Sequence, residues 1–220
     1  MAVMLLSQAP VAVMAQELSA AIEWAVVNHP SNPPLAGGRG TVPQIFRISK
    51  FEITNLQYVI FLNRVARKDP HRLFDIRMQT EPCGGIERYI EEGECHYRLR
   101  NGSARLPVVY VSFLSAMRFA NWMHNGHLST ETETGAYDLR LEDAPRMPGA
   151  RYWIPTENEW IKAGHFDPAK GPQGGYWHYP TSVDKLPSET TSSTILGSAA
   201  LPRHGLPTGA DLAWISPAAR

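Results

Sequence analysis

The chain has 220 residues, with 21 basic and 21 acidic side chains and therefore a formal net charge of zero. This length suffices for one domain with a sizeable core. The balanced charge argues against a nucleic-acid partner, because such proteins usually carry a clustered basic face, and the longest basic cluster here is residues 64–68. Frequent glycine and proline predict a loop-rich fold rather than a helical bundle.

The first 21 residues form an apolar segment that we consider apart from the domain. The run MAVMLLSQAPVAVMAQ contains Val13-Met14-Ala15, which resembles a signal-peptidase site. It lacks a positively charged start, and Pro10 interrupts it, so a plain N-terminal extension is the alternative. The run is too short to span a membrane, and no other segment is apolar enough to do so. We favour export to the periplasm or the cell exterior.

The first predicted helix begins at Thr54. Thr54 and Gln57 have the spacing of a capping box, in which each side chain bonds to the other residue's backbone N–H. The preceding residues 44–54, QIFRISKFEIT, alternate enough to predict a strand that leads into this helix. Apolar residues at helical spacing predict one buried stripe: Tyr58, Phe61, Leu62 and Val65.

The two cysteines, Cys83 and Cys95, lie in one segment that is rich in glycine and glutamate. They are either unrelated thiols or a local disulfide that closes a loop in an oxidising compartment. The sequence leaves both open. A zinc site is disfavoured because CGGIERYIEEGEC lacks the short cysteine spacing that zinc prefers.

The second predicted helix begins after Ser112, whose hydroxyl can cap it, and ends at Asn125-Gly126. The segment LPVVYVS before it predicts a short buried strand, and ARYWIP plays the same part before the third helix. The predicted apolar face of the second helix is formed by Phe113, Met117, Ala120, Trp122 and Met123.

The third predicted helix lies in IPTENEWIKAG. Thr156 and Glu159 form a second capping box, and Pro155 favours an extended lead-in. Glu157 lies in the first turn, where negative charge suits the helix dipole. Trp160 and Ile161 are predicted to begin the buried face. The two carboxylates are therefore better explained as helix-capping groups than as a general acid and base.

The loop GGYWHYPTS is the best candidate for a ligand surface. Tyr176, Trp177 and Tyr179 could stack on a sugar or a peptide. The alternative is that these rings pack beneath a further part of the domain. From residue 183 to residue 220 the chain is rich in Ser, Thr, Pro, Ala and Gly, which predicts a flexible tail.

No set of residues carries the full signature of a metal site, although two histidines three residues apart can share a metal. Three groups of side chains were considered and each lacks a full set of ligands or a metal-loop spacing. They are His124 with His127; His165, Asp167 and His178; and Asp138, Glu142 and Asp143.

Three segments, in this order, carry a resemblance to a known family: FEITNLQYVIFLN, LPVVYVSFLSAMRFANWMHNG and ARYWIPTENEWIKAGHFDP. They resemble the formylglycine-generating enzyme family, also called the sulfatase-modifying-factor domain. The resemblance covers residues 22–181, and the segments TETGAYDL and GGYWHYPTS are most similar to its exported bacterial branch. The matching residues are Glu52, Thr54, Asn55, Tyr58, Pro107, Val108, Val111, Ser112, Ile154, Pro155, Thr156, Glu157, Glu159 and Trp160.

The resemblance implies an irregular, loop-rich α+β fold with short capped helices, related to C-type lectins. It places an incomplete domain at residues 22–182, truncated at its C-terminal side and followed by the tail. The family's founding enzymes oxidise a sulfatase cysteine to formylglycine, using molecular oxygen and a copper ion held by two cysteines. Relatives include iron-dependent sulfoxide synthases and binding proteins with hypervariable surfaces.

The chain departs from the enzymes of this family in its C-terminal half. There the enzymes carry the catalytic cysteine pair and a segment associated with calcium, and neither is found here. Cys83 and Cys95 lie upstream, so the copper role is not transferred to them. We therefore expect a non-catalytic family member without a cofactor, although copper and calcium are implied for the full-length family. The alternatives are an active oxidase and a lectin-like or peptide-binding module, with a protein or glycan as its ligand.

Overall fold

The computed structural model describes residues 22–185 and three two-residue strands beyond them. The predictions for residues 1–21, and those for nearly all of the tail, lie outside the described residues. Within the described part, residues 22–24 and 49–154 belong to one compact unit, and residues 25–48 and 155–185 belong to a second.

The helices and strands are short. In chain order they are β1 (Trp24–Val27), β2 (Phe46–Ser49), α1 (Asn55–Val65), α2 (Arg77–Thr80), β3 (Ile86–Glu91), β4 (Glu94–Leu99), α3 (Phe113–His124), β5 (Tyr152–Trp153), α4 (Glu157–His165), β6 (Phe166–Asp167), β7 (Gly175–Tyr176), β8 (Ser188–Glu189), β9 (Ser198–Ala199) and β10 (Ser216–Pro217). β1 pairs with β2, β3 with β4, and β6 with β7. This mixture of short helices and two-stranded sheets, joined by long loops, agrees with the predicted α+β class. None of the described helices has the length and apolar character needed to cross a bilayer.

Helix α1 begins as predicted. The Thr54 hydroxyl accepts a hydrogen bond from the Gln57 backbone N–H at 3.3 Å, and the Gln57 side chain accepts one from the Thr54 N–H at 2.8 Å. Two backbone N–H groups at the helix start, which have no partner within the helix, are thereby satisfied. The predicted stripe is confirmed at Tyr58, Phe61 and Leu62, which are buried, whereas Val65 is only partly buried.

Helix α3 is capped by Ser112, which accepts from the Ser115 N–H at 3.1 Å, and it ends at Asn125 before Gly126, as predicted. Phe113 departs from its predicted place on the buried face, because it is 65% exposed. It is the first residue of the helix, and the buried residues begin at Ser115. The other predicted face residues are buried: Met117, Ala120, Trp122 and Met123.

The strand predicted over residues 106–112 does not form. That segment makes a single bridge, between Thr54 and Pro107, and its backbone bonds to the residues before helix α1 include one from the Val108 N–H to the Ile53 carbonyl at 2.8 Å. Two local features prevent further strand pairing in this segment. Pro107 has no N–H to donate, and Tyr110 adopts a left-handed φ of 63°, which breaks the extended conformation.

Helix α4 carries the second predicted capping box, with the Glu159 carboxylate accepting from the Thr156 N–H at 2.8 Å. The prediction for Trp160 is wrong, because its side chain is 42% exposed. Ile161 is buried as predicted, and Glu159 and Lys162 are buried on this helix as well. Glu159 and Lys162 are three residues apart and so share one face of the helix.

The β3–β4 hairpin was not predicted. It is antiparallel, with Ile86 opposite Leu99 and Glu91 opposite Glu94. The two residues of its turn, Glu92 and Gly93, have positive φ angles of 52° and 79°. Such angles belong to the two-residue turns whose twist suits a hairpin. The sequence signal was therefore a glycine at the second turn position between two alternating segments.

The core of the first unit is an aromatic cluster shared by α1 and α3. Phe61 is fully buried and lies 5.2 Å from Phe119 and 5.3 Å from Trp122, measured between ring centroids. Tyr58 stacks on Phe119 at 6.0 Å. Edge-to-face and offset contacts of this kind add to the free energy gained by burying the rings.

Candidate functional site

Most residues of the family motifs hold the fold together. Asn55 donates from its side chain to the carbonyls of Ser103 and Leu106, each at 3.1 Å. The buried Tyr58 hydroxyl donates to the Leu73 carbonyl at 2.9 Å, and burial raises the pKa of Tyr58. Glu157 differs, because its exposed carboxylate forms an ion pair with Arg39 at 3.3 Å.

A loop in the second unit is anchored to helix α4 by a buried lysine. The Lys162 ammonium donates to the carbonyls of His29 at 2.8 Å and Val42 at 3.2 Å, and burial lowers the pKa of Lys162. Asn32 closes the same loop from within. Its side chain donates to the Gly40 carbonyl at 2.9 Å and accepts from the Val42 N–H at 3.2 Å. The anchored loop is defined here as residues 29–42.

Tyr176, on strand β7, also binds this anchored loop. Its hydroxyl lies 3.0 Å from the carbonyl oxygens of Pro33 and Gly40 and accepts from the Asn32 side chain at 2.5 Å. Burial is the main cause that raises the pKa of Tyr176. Because the hydroxyl is already engaged by the protein, only the ring of Tyr176 is free to face a ligand.

The orientation of Trp177 is set by three neighbours. Its indole N–H donates to the Asp167 carboxylate at 3.0 Å, and the Lys170 ammonium lies 4.0 Å from a ring centroid. Its backbone carbonyl lies 2.9 Å from His165 Nδ1. A carbonyl oxygen can only accept, so Nδ1 carries the proton, and in the neutral ring Nε2 is left as an acceptor. The Ala169 N–H and then the indole hold the pKa of Asp167 below its ordinary value.

These elements line an open cavity of about 300 Å³. We call it the Trp177 cavity, and its lining residues are Leu35, Arg39, Ile161, His165, Tyr176, Trp177, His178 and Asp184. All of them belong to the second unit. The volume lies at the small end of the range for ligand sites, and the lining combines apolar and aromatic surface with a few polar groups, as such sites do.

Two of the three predicted ligand residues line the cavity and the third does not. Tyr176 and Trp177 line the cavity, whereas Tyr179 does not. Tyr179 pairs with Val183 in an isolated bridge, and its ring packs against His178 with centroids 4.9 Å apart. That Tyr176 and Trp177 bind a ligand stays a prediction.

Sequence reasoning missed four lining residues: Leu35, Arg39, Ile161 and Asp184. No local pattern marks them, because they are distant from Trp177 along the chain or lie in unrelated elements. Arg39 follows two glycines at positive φ, Gly37 and Gly38, which mark a tight turn but not a site.

The two cysteines are free thiols, so the disulfide considered from the sequence is absent. The hairpin explains this. Cys95 lies opposite Ile90 near the turn, whereas Cys83 precedes Gly85, whose carbonyl accepts from the Arg100 N–H at the open end. Along the strand, Ile90 lies five residues beyond Gly85, a distance of about 16 Å. Cys83 precedes Gly85 by two residues, which can bring it back by at most about 7 Å. The two Cα atoms are therefore at least about 9 Å apart, beyond the reach of a disulfide, which needs less than about 7 Å.

The donor set therefore does not fit the copper site that the resemblance implies for full-length enzymes. Two thiolates must share one ion, and these two lie at opposite ends of a hairpin. The Cys83 thiol also lies 2.9 Å from the Tyr110 hydroxyl, and this hydrogen bond is the main cause that raises the pKa of Tyr110 to about 12. Cys95 packs at the edge of the core.

Three of the residues weighed for other metals contact other protein groups: Asp138, His124 and His127. Asp138 binds the Arg140 guanidinium through both oxygens, at 2.8 and 2.7 Å. His124 accepts from the Arg151 N–H at 3.0 Å, and His127 Nε2 lies 3.1 Å from the Met123 sulfur. Across residues 22–185, no three His, Cys, Asp or Glu side chains are grouped so as to hold a metal ion.

The fold and the cavity define an irregular α+β domain with capped helices and a small aromatic site. A family model for the sulfatase-modifying factor enzyme 1-like domain matches residues 32–199, which is more than half of the chain. The chain therefore belongs to this family, and the resemblance drawn from the three motifs is confirmed. Comparison with curated proteins and with solved structures found no match. The domain limits at residues 22 and 182 stay a prediction.

Proposed function

We propose that this chain is a non-catalytic member of the sulfatase-modifying factor family and that it binds a small ligand in the Trp177 cavity. One observation carries the proposal. The Trp177 ring, held by Asp167 and Lys170, lies beside polar side chains that line the same cavity. A rigid aromatic surface with a few converging polar groups is the usual design of a ligand site.

The cysteine arrangement supports the non-catalytic part of the proposal. The chain has only two cysteines. A shared copper ion would need both thiolates within bonding reach, and the hairpin between Cys83 and Cys95 keeps them apart. Bringing the two thiolates together would require the six residue pairs between β3 and β4 to separate.

An oxygen-uptake assay tests this part. The full chain is supplied with one equivalent of copper and a peptide that contains a single cysteine. We expect oxygen uptake no faster than that of the Cys83→Ser/Cys95→Ser double variant, which controls for oxidation of the thiol by loosely held copper. Uptake that depends on either cysteine, with conversion of the peptide cysteine to formylglycine, would overturn the non-catalytic assignment.

Binding is tested by NMR on the ¹⁵N-labelled full chain. The indole N–H of Trp177 gives a signal from within the site, and the probes are a panel of methyl glycosides and a panel of N-acetylated tripeptide amides. We expect saturable shifts at Trp177 and His178 with one panel, abolished in Trp177→Ala. The matched control is Tyr89→Ala, which removes a 40% exposed aromatic ring from strand β3. Absence of saturable shifts with both panels would overturn the proposed function.

A further inference from the structure

We infer that the ligand is a neutral sugar, with one pyranose ring stacked on Trp177 in the cavity. This inference rests on the proposed binding function and adds the chemical class of the ligand. It follows from the balance of donors and acceptors in the lining, the fixed aromatic surface and the size of the cavity.

The polar lining offers both hydrogen-bond donors and acceptors. Arg39 can only donate, the ionised Asp184 can only accept, and His165 Nε2 is an acceptor in the neutral ring. A hydroxyl both donates and accepts, so a ring with several hydroxyls can satisfy all of these groups. An anionic ligand would meet the Asp184 carboxylate, and a cationic ligand would meet the Arg39 guanidinium.

The two charged groups keep bonding capacity for a ligand. Arg39 uses one N–H on Glu157, at 3.3 Å, and its side chain is 58% exposed. Both oxygens of Asp184 accept from the Lys170 ammonium, at 2.9 and 2.8 Å, and one also accepts from the His178 N–H at 3.0 Å; the side chain is 55% exposed. Exposed ion pairs of this kind hold side chains in place at little free-energy cost or gain. A sugar hydroxyl can therefore join them without breaking a buried pair.

Trp177 supplies the apolar surface that the C–H face of a pyranose needs. Its indole N–H and its backbone carbonyl are both bonded within the protein, to Asp167 and His165. The ring therefore loses little conformational freedom when a ligand stacks on it, which favours affinity.

The cavity shape favours a single ring over an extended peptide. Its volume is about 300 Å³, and its lining comes from the anchored loop, helix α4 and the segment after β6. An extended peptide is usually held by pairing with a sheet edge or by a long groove. Strand β7 contributes only the Tyr176 ring, whose hydroxyl is already bonded to the anchored loop.

The test is saturation-transfer NMR on the full chain with the methyl pyranosides of glucose, galactose and mannose. We expect transfer to the ring C–H protons of at least one of these sugars, and an affinity at least tenfold weaker in Trp177→Ala. Tyr89→Ala should leave the affinity unchanged. Arg39→Gln should weaken binding severalfold, whereas Arg98→Gln, which removes a similarly exposed, ion-paired arginine from β4, should not.

The outcomes separate this inference from the proposed function. If peptides shift the Trp177 NMR signal while no neutral sugar binds, the sugar assignment is overturned and the proposed binding function stands. If methyl glucuronide, an anionic sugar, binds tenfold more tightly than the neutral sugars, the inference that the ligand is neutral is overturned. Sugar binding that survives both Trp177→Ala and Arg39→Gln would place the site elsewhere. Because Arg39 is exposed, its variant tests the inference even where Trp177→Ala fails to fold.

Discussion

The ammonium of Lys162 donates a 2.8 Å hydrogen bond to the backbone carbonyl of His29, although Lys162 is only 1% exposed. The same ammonium reaches the Val42 carbonyl, so one buried side chain holds both ends of the anchored loop. That loop contributes Leu35 and Arg39 to the Trp177 cavity. Lys162 therefore positions the cavity wall without lining it.

Replacing Lys162 by Met should release the anchored loop. The substitution keeps the apolar stem and removes the Lys162 hydrogen bonds to the His29 carbonyl and to the Val42 carbonyl, which still accepts from the Ser31 N–H at 3.2 Å. A hydrogen bond to a charged group contributes roughly 1.5–3 kcal/mol. We expect the free energy of unfolding in urea to fall by about 2–4 kcal/mol, and the Val42 amide to exchange faster with solvent.

Lys50→Met is the matched control for this change, because Lys50 is 51% exposed and forms only a long ion pair with Glu23. It should alter stability by no more than about 0.5 kcal/mol. Unchanged stability and unchanged Val42 exchange in Lys162→Met would show that the lysine does not anchor the loop.

Gly40→Ala should disturb the cavity through both conformation and space. Gly40 has a φ of +80°, and a Cβ there would lie 2.8 Å from the Tyr176 hydroxyl and 2.9 Å from the Ile161 side chain. The left-handed conformation costs roughly 1–2 kcal/mol for a residue with a side chain, and the crowding adds about 1–3 kcal/mol.

Gly37→Ala separates these two effects. Gly37 has a similar φ of +84°, with no neighbour within 4 Å of the added Cβ. It should show the conformational cost alone. Equal losses in urea unfolding for both variants would mean that the contact between Gly40 and Tyr176 is not tight.

Phe61→Ala should destabilise the first unit strongly. The ring is completely buried and contacts Tyr58, Phe119 and Trp122. Truncating such a ring removes its burial and leaves a cavity, a loss of about 3–5 kcal/mol. Phe51→Ala, which removes a ring that is 60% exposed, should change stability by no more than about 0.5 kcal/mol. Urea unfolding followed by tryptophan fluorescence measures both, and similar losses would contradict the assigned core.

The free energy of unfolding should fall as the pH drops below the ordinary pKa of histidine, about 6.5. Burial is the main cause that lowers the pKa of His127, helped by the Arg151 charge and opposed by the Gly126 backbone. Below about pH 6.5 the unfolded chain therefore takes up a proton that the folded chain does not, and stability is lost from that pH down to the folded pKa. One such group contributes a slope of at most about 1.4 kcal/mol per pH unit.

His127→Asn should reduce this slope, since it removes the titrating ring and suits the left-handed φ of 66° at this position. The pKa of His124 is also lowered, mainly by burial, so part of the slope should remain. The measurement is the free energy of unfolding in urea between pH 8 and pH 5. An identical slope in the variant would show that His127 does not couple folding to pH.

The sequence alone determined the starts of three helices and the family. Thr54 with Gln57, Ser112 with Ser115, and Thr156 with Glu159 are caps formed within one turn, so their geometry follows from spacing along the chain. The motifs around them sufficed to identify the family, because each is a short continuous segment that can be read directly from the chain.

Tertiary structure decided which aromatic rings are buried and where the cavity lies. Phe113 and Trp160 occupy apolar positions of their helices, yet both side chains are exposed, whereas Ser115 and Glu159 in the first turns of the same helices are buried. Trp177 and Arg39 meet across more than a hundred residues of chain, through an anchored loop that Lys162 and Tyr176 hold. Hydrogen bonds between such distant residues leave no period or spacing in the sequence, because only the folded chain brings the partners within reach.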